Sequence, residues 1–332
     1  MLTKFYKLNF TSQILIILIT GIILWLPSFV NPFQITYSST LTPLFNKLIN
    51  ILNIWKYLPI LSGLICLYLI VFILNDTLAN NEIISKNNYA PALLAIILSS
   101  WHPVLLNFQP ILPGSLFLIL AMRNALKSAT QDEPINNPFY TGFYIALSSM
   151  FYFPFILLFL LIPIGFIVSR VFSWRSWLLS LWGALLPYIL LLTWKFWNNK
   201  LFETIHNYIN YFKNIPSYLN LNKALLLKQS IIINSLYAIL LIIIILALMK
   251  NIYNLIEKNI AVRRSLIWII WCLIIVVAAS FFNKERLIYS QIIMLFSSII
   301  IEQFIYSIKK NIYVNLIFII LISFIIFFRF YN

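Results

Sequence analysis

The sequence predicts an all-α fold, a polytopic transmembrane helical bundle with its N-terminus in the cytoplasm. Three observations predict it. The 332 residues are 62% hydrophobic and only 9% charged, whereas a soluble domain is about a quarter charged and about half apolar. Apolar runs recur from end to end, enough for about eleven spans of roughly 20 residues. Basic residues flank those runs, and over the first seven spans they collect on the side that holds the N-terminus, as the positive-inside rule requires.

The first span covers about 12–30. Lys4 and Lys7 precede it as in a signal sequence, but the run is too long for an h-region and no small-residue cleavage site is evident. It reads as an uncleaved span. In 31–57 the residues Leu41, Leu44, Phe45, Leu48, Ile49 and Leu52 recur at steps of three and four. That is one helix face, lying in the membrane interface. Spans at about 58–75, 89–108 and 110–123 follow, with a polar loop at 75–88 and a tight turn at Gln109–Pro110. The runs 139–153 and 154–170 are separated at Pro154, which breaks a helix or kinks it. The span 176–197 leads into a polar connection, 198–228, rich in Asn, Tyr and Lys. Spans at about 229–249, 265–282, 287–307 and 313–328 complete a single integral membrane domain, 1–332. Both 31–57 and 198–228 fall on the outer face. Trp25, Trp101, Trp174 and Trp194 lie near span ends and read as an aromatic belt.

Composition also excludes function classes. The net charge of +15 is scattered over short loops, so no nucleic-acid stripe forms. Cys66 and Cys272 sit in apolar runs without metal-ligand or redox spacing. None of the six glycines belongs to a phosphate-cradling loop, which argues against ATP-driven transport by this chain alone. The glycines instead suit close helix approach in a membrane. The two histidines, His102 and His206, are too few for an iron or zinc site. No metal and no cofactor are expected. His102, between Trp101 and Pro103, reads as a satisfied polar group at a turn.

Eight acids remain. Glu302 sits inside a span, where an ionisable residue is a functional candidate by default. Lys309, seven residues on along the same face, favours a structural acid near the interface. The connection 198–228 holds Lys200, Glu203, His206 and Lys213. Glu203 and His206 are three apart and share a helix face, so a carboxylate there can orient an imidazole for acid–base work. The alternative is an interfacial segment with aromatic anchors. Lys284, Glu285 and Arg286 fall on the same side. Together these basic groups suit an anionic lipid headgroup such as a polyprenyl phosphate. Glu203, His206 and Glu285 are the catalytic candidates, and Lys200, Lys213, Lys284 and Arg286 the ligand-binding ones.

Two segments carry a resemblance. One runs from Tyr89-Ala-Pro-Ala-Leu-Leu through Leu118-Ile-Leu-Ala-Met-Arg123. The other runs from Thr141-Gly-Phe-Tyr-Ile-Ala-Leu through Pro154 and Trp174-Arg-Ser-Trp177 to Pro187-Tyr188. With the first span, they resemble an uncharacterised family of bacterial multi-pass inner-membrane proteins, whose members are sometimes labelled beta-carotene monooxygenase. Carotenoid-cleaving enzymes need four histidines at iron, and this chain has two. More loosely, 89–198 is similar to C-type membrane glycosyltransferases, which use polyprenyl-phosphate sugars and an acid in the first outer loop. The stretch 31–57 contains no Asp or Glu. The resemblance therefore implies a protein of a cell-envelope pathway in the bacterial inner membrane, with glycosyltransferase-like architecture but no clear catalytic site, contact with membrane lipids including polyprenyl phosphate, and envelope protein partners. The other readings are an active polyprenyl-phosphate-dependent glycosyltransferase and a transporter or scaffold subunit.

Overall fold

The computed structural model describes residues 5–30, 42–130, 136–170, 173–228, 231–283, 285–308 and 311–331. Among these the chain is helical throughout, with no strand. The helices are α1 (Phe10–Val30), α2 (Pro43–Leu52), α3 (Leu58–Asn80), α4 (Ala90–Ser99), α5 (Ile111–Thr130), α6 (Asn136–Phe151), α7 (Leu161–Ser169), α8 (Trp174–Trp197), α9 (Leu201–Lys228), α10 (Ile231–Asn254), α11 (Ile260–Ser280), α12 (Arg286–Tyr306) and α13 (Asn311–Tyr331). Short 3₁₀ turns at Pro103–Leu105, Phe153–Leu160 and Leu255–Glu257 link some of them.

Among the described residues six helices are long and apolar enough to cross a membrane: α1, α3, α8, the Ile239–Glu257 stretch, α11 and α12. Shorter apolar helices occupy Ala90–Ser99, Phe153–Ser169 and Ile312–Ile326. Leu181, Trp182, Leu185 and Leu190 on α8, and Leu241, Ile242, Ile245 and Leu246 on α10, are exposed. In water such faces would associate; against lipid chains they are already in a matching solvent.

The α4 region departs from the sequence expectation of a span over 89–108. Only ten residues are helical, a length of about 15 Å, half the roughly 30 Å of a hydrocarbon core. All ten are buried. A helix apolar on every side belongs in the middle of a bundle, and α4 is packed by α12, α3, α1 and α13. Two ring contacts, Phe10 with Tyr89 and Tyr6 with Tyr306, and the Arg123–Asp76 ion pair at 3.0 Å gather one end of the bundle. This N-terminal face holds the start of α1 and α4 and the ends of α3 and α12. Trp25 with Ser100, and Phe45 stacked on Phe108, lie toward the far face.

Trp25 and Trp101 are correspondingly not belt residues. They are 0% and 1% exposed, and their indole N–H groups donate to Ser100 (3.1 Å) and Ser290 (3.2 Å). An indole closes a buried polar site as well as it marks an interface. Trp174 and Trp194 are exposed, as a belt requires.

Elsewhere the breaks fall near where proline puts them. α6 ends at Phe151, and Pro154 opens the 3₁₀ turn. The amphipathic segment forms α2, with Phe45 and Ile49 buried; Leu41 lies outside the described residues. The polar connection 198–228 is a helix, α9, of 28 residues rather than a loop. The loop expected at 75–88 starts later, because α3 continues to Asn80. α6 and α8 pack through two glycines. A Cβ on Gly142 would lie 2.1 Å from the Ser180 carbonyl oxygen, and one on Gly183 would lie 2.1 Å from that of Phe139. Only a residue without a Cβ allows backbones this close.

Candidate functional site

The far face carries a crevice made by α2, α6, α8 and the start of α9. Its apolar half, about 290 Å³, is lined by Leu44, Phe143, Leu147, Met150, Pro187, Leu190 and Leu191. Its polar half, also about 290 Å³, is lined by Asn46, Asn50, Lys195, Lys200, Glu203, Thr204 and Asn207. Pro43, Lys47 and Trp194 line both halves. The Lys47 ammonium sits 3.7 Å from the centre of the Trp194 ring, and that of Lys195 approaches the same ring at 5.3 Å. The indole face holds a cation without neutralising it, so positive charge is presented where the crevice changes from apolar to polar.

The structure sorts the sequence candidates into separate places. Lys200 and Glu203 line the polar half together. His206 and Lys213 are exposed further along α9. Glu203 and His206 share a face but make no hydrogen bond or ion pair with one another. Glu285 stands before α12, its amide N–H donating to Asn283 Oδ1 at 3.2 Å. It lies beside Tyr152, whose hydroxyl accepts a hydrogen bond from the Asn283 amide. Arg286 packs its guanidinium over Phe281, 5.5 Å from the ring centre. Glu285 and Arg286 are thus not among the residues lining the crevice. Lys284 lies outside the described residues.

Lys47 and Lys195 are charged crevice residues outside the expected set, and Trp194 is expected from the sequence only as a belt residue. Lys47 could have been found, since it is the basic residue of the amphipathic α2. Its meeting with Trp194 depends on packing between elements far apart in the chain.

Glu302 is at the expected end of its span and is 0% exposed, buried within the bundle. It accepts from Asn88 Nδ2 at 2.8 Å and from Gln303 Nε2 at 3.3 Å. The buried Tyr6 hydroxyl lies beside it, short of regular hydrogen-bond alignment. Burial, and then the charge of Glu302, push the Tyr6 phenol above its ordinary range, so it stays protonated. Lys309, the neighbour expected from the sequence, lies outside the described residues; Lys258 contributes positive charge from the turn before α11.

His102 is buried, and its Nδ1 accepts from the Val104 amide at 3.2 Å, capping the following 3₁₀ turn. That is the structural role the Trp-His-Pro context suggested. Cys66 and Cys272 are buried free thiols. Among the described residues no group of three or more His, Cys, Asp or Glu side chains is placed to hold a metal ion. No protein-family model matches this sequence, no curated protein is detectably similar to it, and no solved structure matches its fold.

Proposed function

We propose that this chain is a lipid-binding protein of the bacterial inner membrane, acting in a cell-envelope pathway. It holds an anionic lipid of the polyprenyl-phosphate kind in the α2–α8 crevice and performs no catalysis of its own. The observation that carries this reading is the junction at Lys47 and Trp194, where an apolar groove and a cationic one meet. An isoprenoid tail needs the first and a phosphate the second. With the N-terminus in the cytoplasm, the crevice opens on the outer leaflet.

Glu203 supports a second reading, glycosyl transfer, because it lines the polar groove beside Lys200. An acid near a bound phosphate can serve as a general base. Glu285, away from that lining, is not needed.

The test is purification in mild detergent with mass spectrometry of the retained lipids and proteins. The expected result is a polyprenyl phosphate kept by the native chain and lost from the Lys47→Glu/Lys200→Glu variant. Recovery of neither a polyprenyl lipid nor an envelope partner overturns the proposal. Turnover of a polyprenyl-phosphate sugar that Glu203→Gln abolishes would replace it with the enzyme reading.

A further inference from the structure

Two clefts lie on the N-terminal face, at the other end of the bundle from the α2–α8 crevice. Between α3 and α4 the chain turns back on itself, and Glu82 adopts a left-handed φ of 55° at the bend. This bend, the end of α12 and Lys258 enclose a cleft of about 410 Å³. A second cleft, about 400 Å³, adjoins it and shares Lys258, Gln303 and Tyr306. Each is in the size range of small-molecule sites.

Glu302 and Asn88 form the buried side of the first cleft, and Glu82, Lys86 and Lys258 its exposed rim. The donors facing the Glu302 carboxylate are all neutral: an amide on each oxygen, with the Tyr6 hydroxyl beside them. No basic group among the described residues lies within ion-pair distance of it. A buried carboxylate held only by neutral donors is incompletely compensated. It has about four lone-pair positions, so two amide bonds and the neighbouring Tyr6 hydroxyl still leave capacity for a donor arriving from the cleft.

The rim limits what that donor can be. A simple amine reaching Glu302 would pass Lys86 and Lys258. A simple anion attracted by those lysines would face Glu302. Two acids and two lysines make the lining neutral overall but divided, with the buried charge negative. We infer that this cleft binds a small zwitterion, with a primary ammonium toward Glu302 and an anionic group toward Lys86 and Lys258. A free solute such as phosphoethanolamine has this chemistry, and so does the headgroup of phosphatidylethanolamine.

The test uses the full chain in phosphatidylcholine nanodiscs, with O-phosphoethanolamine titrated calorimetrically. Saturable binding is expected, and binding of O-phosphocholine, whose ammonium has no N–H, should be weaker by roughly tenfold or more. Glu302→Gln should weaken binding by a similar factor. So should Lys86→Glu/Lys258→Glu, whose exposed positions spare the fold. In nanodiscs of phosphatidylethanolamine, a raised apparent Kd identifies the lipid headgroup as occupant, and an unchanged Kd identifies a free solute. Absence of saturable binding in phosphatidylcholine overturns the inference. Binding that survives the rim double variant, or that does not distinguish phosphoethanolamine from phosphocholine, overturns it too. The lipid-retention test reads the other face, so either proposal can fail without the other.

Discussion

Asn88 donates a 2.8 Å hydrogen bond to Glu302 across the α4–α12 interface, joining residues 214 positions apart in the chain. Asn88 is occupied on every side. Its Oδ1 accepts from the Ala90 amide at 2.9 Å, and its carbonyl accepts from Asn75 Nδ2 of α3 at 3.3 Å. Gln13 of α1 takes the next orphan donor, the Tyr89 amide, at 2.9 Å. The N-terminus of α4 is buried, so its unpaired amides need protein partners. The same antiparallel register continues along the pair. Gln303 donates to the Ile83 carbonyl (2.9 Å), Gln291 to that of Ser99 (3.4 Å), and Trp101 to Ser290 (3.2 Å).

Replacing Asn88 with Leu should destabilise the bundle by about 1–3 kcal/mol, because a buried carboxylate oxygen and a helix-end amide both lose their partner. Asn88→Asp should be worse, since a second carboxylate would face Glu302. Thermal denaturation in detergent, followed by size-exclusion chromatography, reads both. A melting temperature unchanged in Asn88→Leu would remove this network from the account of stability.

Gly142→Ala and Gly183→Ala should each force α6 and α8 apart, with a loss of about 1–3 kcal/mol from overpacking. The obstructing atoms are backbone carbonyl oxygens at 2.1 Å, which cannot rotate away. Gly114→Ala should be milder, because its nearest neighbour is the edge of the Phe155 ring at 3.0 Å. Comparing the three variants in one thermal assay checks the ranking.

Asp76→Asn should change stability by less than about 1 kcal/mol. Its 3.0 Å pairing with Arg123 joins side chains that are 51% and 35% exposed, respectively. The same thermal assay at low and high salt should give nearly coincident curves for the native chain and this variant.

His102→Leu should cost about 1 kcal/mol through loss of the cap on the 3₁₀ turn, while His102→Asn, which keeps a side-chain acceptor, should recover most of it. Neither should alter retention of lipid by the far-face crevice. A loss of lipid without loss of stability would give His102 a binding role.

Much of this architecture is legible in the residues. The apolar runs mark the helices, Pro154 marks the break after α6, and Leu44, Phe45, Leu48 and Ile49 mark α2. Hydropathy marks α4 as part of a full span, because it measures how apolar a segment is and not whether its surroundings are lipid or protein. It placed Trp25 and Trp101 in a belt for the same reason. The stretch 198–228 reads as a polar connection because α9 is polar enough to lack a membrane signal, although its backbone is helical. At the candidate site, Lys200 and Glu203 were visible as an unusual polar cluster. Lys47 and Trp194 were not visible as a pair, since nothing local links α2 to α8.

Composition determined that the chain is suited to lipid, with 62% hydrophobic and only 9% charged residues, and the length of its apolar runs determined that it is helical. Tertiary structure alone decided that Glu302 meets Asn88, that Gly142 and Gly183 bring two backbones into contact, and that an apolar groove meets a cationic one beside Trp194. The physical reason is range. Hydropathy and helix periodicity act within about 20 residues, whereas pairing a buried polar group depends on which distant helix supplies its partner.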